Sequence, residues 1–190
     1  MFKKICLLFA LLTMFLSFSK VEAISYGTGI AEGLNYSVDD FHDRTLYYGR
    51  FDSGTAALYL VVSVNNVTNK PTMYVTANCA VDSTNWQYFD KIYITTDSNS
   101  YVINCDASDL QYTLDPGMLL EQNYQKEADE QTIGIFREIA SSKGTPTCRF
   151  SGKYEKIREI TPERKNRMKK LIALYDFYNE KSKTQPLENK

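Results

Sequence analysis

His42 is the only histidine of the chain and lies among three aspartates, Asp39, Asp40 and Asp43. A carboxylate beside an imidazole can orient it as a general base, which would then activate a serine or the thiol of Cys148 for hydrolysis. The sequence has no Gly-x-Ser-x-Gly elbow and no papain-type cysteine signature. Cys148 and Phe150 share one side of a short predicted strand, which is typical of a core position rather than of an accessible nucleophile. The pattern favours an exposed histidine in a polar segment.

The same three aspartates and His42 offer ligand atoms for a metal ion, calcium in particular. They lack the glycine-centred loop spacing of a calcium hand, so we predict a solvated acidic loop and no metal site. Gly27, Gly29 and Gly33 form G-x-G-x-x-x-G, which is one residue longer than the dinucleotide fingerprint, and no lysine of a phosphate-binding loop follows. We therefore predict no cofactor.

Aromatic residues on the predicted strands could stack on a sugar or hold a peptide. Trp86, Tyr88 and Tyr93 are the candidate ligand-binding residues. Because alternate residues of a strand point inward, about half of the strand aromatics are expected to belong to the core. The other tyrosines of this group are Tyr47, Tyr48, Tyr59, Tyr74 and Tyr101.

A basic run lies on the polar side of the last predicted helix and could bind an anionic polymer or lipid surface. Acidic residues predominate up to residue 140 and basic residues after it, yet the formal net charge of the whole chain is −1. A phosphate binder needs a surplus of cations, so we expect the two halves to neutralise each other and predict no nucleic-acid partner. The run consists of Arg164, Lys165, Arg167, Lys169 and Lys170.

Residues 1–23 have the three parts of a cleaved secretory signal: Lys3 and Lys4, an apolar run at 5–18, and Val21-Glu22-Ala23 before the cut. The apolar run is shorter than the roughly 20 residues of a membrane-spanning helix. We predict cleavage after Ala23 and a secreted or periplasmic protein that keeps no membrane span. Release from the cell and retention at the envelope are both open.

Turn residues separate short apolar, β-branched and aromatic segments in the first half, which predicts strands over residues 45–51, 56–64, 72–78, 88–96 and 101–105. Helical spacing follows at 126–142, a short strand at 145–152, and a second helix that opens at Thr161-Pro162. This order predicts the α+β class: an antiparallel β-meander of about 5–7 strands with two amphipathic helices packed on one sheet face. We expect one domain at residues 24–178 and a flexible tail at 179–190.

Three cysteines follow the predicted leader, Cys79, Cys105 and Cys148, and an odd number leaves at least one thiol unpaired within the chain. If the strand at 72–78 pairs with the strand at 88–96, Cys105 lies level with Val75, roughly 13 Å from Cys79 along the strands. A disulfide needs Cα atoms within about 7 Å, so these two are not an obvious pair. The sequence leaves all pairings open.

These patterns together predict a non-catalytic binding or surface-interaction module whose ligand is an extracellular or envelope protein or polysaccharide. One alternative is a small exported hydrolase that uses His42 with a carboxylate or Cys148. The other is a basic-helix binder of an anionic polymer or lipid surface.

Overall fold

The computed structural model describes residues 29–49, 56–82, 89–114, 119–152 and 155–184. This part of the chain forms ten strands and two α-helices. The strands are β1 (Asn35–Asp39), β2 (Arg44–Tyr48), β3 (Ala56–Asn65), β4 (Pro71–Asp82), β5 (Phe89–Thr95), β6 (Ser100–Asn104), β7 (Leu110–Leu114), β8 (Leu119–Glu127), β9 (Thr147–Gly152) and β10 (Lys156–Glu159). The helices are α1 (Glu130–Ser141) and α2 (Pro162–Thr184), and a short 3-10 turn, Ala107–Asp109, precedes β7.

The larger sheet has the strand order β1-β2-β3-β4-β8-β7, and all its neighbours are antiparallel. Its centre is β3, where Leu58, Leu60 and Val62 are fully buried. These residues lie opposite Ala77, Val75 and Met73 of β4, so both strands turn the same side toward the interior. We call this side the core face of the large sheet.

The smaller sheet has the order β10-β9-β5-β6 and is also antiparallel. Ile92 and Ile94 of β5 lie opposite Phe150 and Cys148 of β9, and all four are fully buried. A bulge between Phe89 and Lys91 shifts the register of β5, which lets Phe89 turn inward although Lys91 is exposed. The Phe89 ring packs edge-on against Phe150, with ring centroids 5.3 Å apart.

Gln122 of β8 connects the two sheets. Its side chain is fully buried and accepts a hydrogen bond from the Phe89 backbone N–H at 3.0 Å. Its amide nitrogen donates to the Phe89 carbonyl at 2.9 Å. The glutamine therefore satisfies both backbone groups of Phe89 at the start of β5. One hydrophobic cluster includes residues of both sheets and both helices.

The helices begin where their capping residues predict. Asp129 accepts a hydrogen bond from the Thr132 backbone N–H at 2.7 Å and caps α1. Thr161 Oγ1 accepts a hydrogen bond from the Arg164 backbone N–H at 3.3 Å at the start of α2.

The helix α2 packs on β3, β4 and α1, and Arg137 of α1 forms a bidentate ion pair with Asp176 of α2. Within the described residues, no helix is both long and apolar enough to cross a membrane.

The α+β class is confirmed, with an antiparallel sheet followed by helices in the C-terminal half and the second helix packed on the sheet. The strands are more numerous than expected and divide into two sheets. The expected pairing of β4 with β5 is wrong, because β8 takes that edge of β4 while β5 lies between β6 and β9. Residues 126–127 belong to β8 and not to a helix, and α2 extends to Thr184, into the expected tail. The predicted leader lies outside the described residues.

Candidate functional site

His42 lies in the turn between β1 and β2, at one end of the large sheet. Its Nδ1 is 2.8 Å from Asp39 Oδ2, and Arg44 Nε donates to the same oxygen at 2.9 Å. The hydrogen bond with His42 is the main reason that the pKa of Asp39 lies below its ordinary value. The imidazole side chain is 57% exposed. The turn thus holds the imidazole against a carboxylate, on an open surface.

Cys148 lies inside the small sheet, and the structure shows no contact between it and His42. Its side chain is fully buried, and burial raises the pKa of its thiol to about 12. A thiol in this environment stays protonated at neutral pH and is a poor nucleophile. No group of three or more histidines, cysteines or carboxylates in the described part of the chain is arranged to hold a metal ion.

Of the three predicted ligand-binding aromatics, Trp86 and Tyr88 lie outside the described residues. Tyr93 lies on the outer side of the small sheet, opposite Arg149 of β9 and Val102 of β6. The Arg149 guanidinium lies 4.4 Å from the centroid of the Tyr93 ring. One side of this ring is therefore occupied by a cation within the same chain.

Three other tyrosines share the side of the large sheet that faces away from the core. Tyr48 lies opposite Val61, which in turn lies opposite Tyr74, so Tyr48 and Tyr74 flank Val61 across three strands. Tyr59 lies diagonally from Tyr74 on β3, and all three tyrosines are partly exposed. The helix α2 packs on the opposite side, since its Tyr178 approaches Tyr47, which shares the side of Val62.

We call this surface the tyrosine face. It comprises Leu46, Tyr48, Tyr59, Val61, Tyr74, Thr76, Asn78, Asn123 and Gln125. Its other members are the apolar Leu46 and Val61 and four polar residues, and the exposed carboxylate of Glu127 lies on the same side, opposite Tyr74. Thr76 Oγ1 is buried at the base of the face and has no hydrogen-bond partner among the described residues. The face combines three partly exposed aromatic rings with amide side chains.

Sequence reasoning named the tyrosines as strand aromatics but missed the polar half of this surface. Asn123 and Gln125 alternate with the buried Gln122 and Tyr124, a period of two that indicates a strand. The helical interpretation of residues from 126 onward hid this signal, because the end of β8 was assigned to the helix. The alternation over 122–125 was therefore the available clue.

A cavity of about 40 Å³ lies between α2 and β3, lined on its apolar side by Leu58, Leu60, Met168 and Leu171. Such a volume holds only a few water molecules. It is too small for a sugar ring or an amino-acid side chain of ordinary size.

The basic residues of α2 are largely engaged within the molecule. Lys165 Nζ donates to the carbonyls of Ser142 and Gly144, at 3.0 and 2.7 Å, and so caps the end of α1. Lys170 Nζ donates to the Glu32 carbonyl at 2.6 Å, and Arg167 pairs with Glu163 one turn away. These cations have structural roles that the charge pattern alone did not reveal.

Comparisons of the chain with models of known protein families, with curated proteins and with solved structures found no match.

Proposed function

We propose that this protein is an exported, non-catalytic binding module whose tyrosine face takes a segment of an uncharged polysaccharide. The observation that carries the proposal is the combination of Tyr48, Tyr59 and Tyr74 with the amides of Asn123 and Gln125 on one side of the large sheet.

The chemistry of this face matches a neutral glycan. A sugar ring offers an apolar C–H side that stacks on a tyrosine ring and hydroxyls that exchange hydrogen bonds with amides. Tyr48 and Tyr74 are separated by two strand spacings, about 10 Å, so one extended chain can contact both. The carboxylate of Glu127 lies opposite Tyr74 on the same side and would repel an anionic ligand, which favours an uncharged one.

Binding of the purified protein to insoluble β-glucan, chitin and xylan tests the proposal. We expect retention on at least one of these neutral polymers that persists at high salt, and at least a tenfold loss in the Tyr59→Ala, Tyr74→Ala double variant. Tyr93→Ala is the matched control, because its ring lies on the other sheet and already stacks on Arg149. Circular dichroism checks that the variants remain folded.

Other results of the same assay favour the alternatives. Loss of binding in a Trp86→Ala, Tyr88→Ala, Tyr93→Ala variant, with the double variant unaffected, would move the site to the aromatics first predicted from the sequence. Release of soluble sugar that His42→Ala abolishes would favour a hydrolase. Retention only on an anionic polymer, falling steeply with salt, would favour the basic helix.

A further inference from the structure

We propose that the outer edge of β1 binds the same edge of a second copy of this chain, which joins two large sheets into one continuous antiparallel sheet. This inference is independent of the proposed glycan binding, since it uses the edge of the large sheet and not the tyrosine face.

The first support is the exposure of β1. It is the terminal strand of the large sheet, and no described strand pairs with its outer side. Tyr36 is 66% exposed and Val38 is 53% exposed, and alternation places both on the core-face side of the sheet. A strand edge with exposed apolar side chains is a template for pairing with another strand.

The second support is the lack of the usual protection. Exposed edges are normally blunted by lysine, proline or a bulge. The strand β1 contains no lysine, proline or bulge, its one charge is Asp39 at its end, and its five residues pair with β2 in an unbroken register. By contrast β10, which ends the small sheet, has four residues and carries Lys156 and Arg158.

The third support is that β1 is complementary to itself. An antiparallel pair centred on Ser37 places Tyr36 of each copy opposite Val38 of the other, and Asn35 opposite Asp39. Each of the two aromatic–β-branched pairs is of a kind that stabilises antiparallel sheets. No like charges meet in this register. A two-fold axis perpendicular to the sheet generates it, as in most homodimers.

The environment of Tyr36 fits this arrangement. Its ring centroid lies 6.3 Å from that of Tyr47, which holds it beside the edge without covering it. Tyr47 in turn approaches Tyr178 of α2. The two α2 helices of the pair would therefore lie on the same side of the joined sheet.

Sedimentation equilibrium of the purified protein over a range of concentrations is the first experiment. We expect a monomer–dimer equilibrium that Val38→Lys shifts toward monomer by at least tenfold in dissociation constant. Val38 is exposed, so the substitution leaves the core of the monomer unchanged. A protein that stays monomeric at all concentrations would overturn the proposal. It would do so even if a strand of another protein were later found to pair with β1.

Single cysteines then test the register. Ser37→Cys places two thiols opposite each other across the axis, within disulfide reach, and we expect a covalent dimer on mild oxidation. Asn35→Cys is the matched control, because the two copies of residue 35 lie four residues apart along the strands, about 13 Å. The wild-type chain controls for its own cysteines. Equal cross-linking of both variants would contradict the register and the proposal.

Discussion

Gln122 shows how one polar residue can fix the relation between two sheets. Its side chain is fully buried, and its amide forms two hydrogen bonds with the backbone of Phe89, on the other sheet. A buried amide is costly unless both its donor and acceptor are used, and here both are. Phe89 is thereby held at the bulge that turns its ring into the core.

Replacing Gln122 with alanine should therefore destabilise the protein by about 2–4 kcal/mol, because it leaves the N–H and carbonyl of Phe89 buried without partners. Urea unfolding followed by fluorescence measures the change in free energy. Gln125→Ala is the control on the same strand, and since Gln125 is exposed we expect a change within about 0.5 kcal/mol. Equal effects of the two substitutions would show that the bridge contributes nothing specific.

Some of these residue contacts were accessible from the sequence and others were not. His42 and Asp39 are three positions apart in a turn, so their contact follows from local geometry. Gln122 and Phe89 are 33 positions apart, and nothing in a lone glutamine distinguishes a buried bridge from a solvated side chain. Long-range polar contacts of this kind depend on which strands end up adjacent, and a single sequence does not contain that information.

At the scale of elements, α1 is attached to the β5–β6 hairpin by Glu138. Its carboxylate accepts hydrogen bonds from Thr96 and Tyr101, and from Asn99 Nδ2 at 2.9 Å. These bonds, from Thr96 above all, hold the pKa of Glu138 below its ordinary value, while the bond to Glu138 raises the pKa of Tyr101. The hairpin turn is also tied to the end of α1, because Asp97 accepts the Gly144 backbone N–H at 2.9 Å.

A carboxyl whose pKa is lower in the folded than in the unfolded state stabilises the fold above its unfolded pKa, about 4.3 for glutamate. We expect the free energy of unfolding to fall as the pH drops from that value through the lower folded pKa of Glu138. In Glu138→Gln this part of the decline should be missing, so the slope between pH 5 and 3, roughly the window where carboxyls titrate, becomes shallower. Urea unfolding at several pH values measures it, and identical slopes in both proteins would contradict the linkage.

Element boundaries followed local signals where those signals were strong. Thr161-Pro162 marked the start of α2 correctly, since a hydroxyl cap and a proline at the first helical position have few other uses. Both β7 and β8 were missed; in β8 the outward residues Asn123, Gln125 and Glu127 are polar, and the strand leads directly into the cap of α1. Strand order failed for the same reason, as the unrecognised β8 occupies the place assigned to β5.

At the scale of the whole molecule, Cys79, Cys105 and Cys148 are all buried thiols. Burial raises the pKa of Cys105 and of Cys148 to about 12, and it also raises the pKa of Cys79. The sequence left their pairing open because the distances between them depend on the division into two sheets, which the strand pattern did not reveal.

We expect these three thiols to react with a maleimide or an aromatic disulfide reagent at least a hundredfold more slowly in the folded protein than in urea. Exclusion of the reagent and the low fraction of thiolate both slow the reaction. Mass spectrometry of the labelled protein counts the modified cysteines at each time. Rapid labelling of Cys148 without denaturant would show that the small sheet opens readily.

The burial of all three thiols in the core also bears on how the chain folds. The fold of the described residues is held together by apolar packing and depends on no disulfide among these three cysteines. The two sheets must therefore pack together before the thiols are oxidised. A disulfide formed earlier between two of these cysteines would hold the chain in a non-native topology. Rapid folding, rather than disulfide formation, would then protect the chain from non-native disulfides.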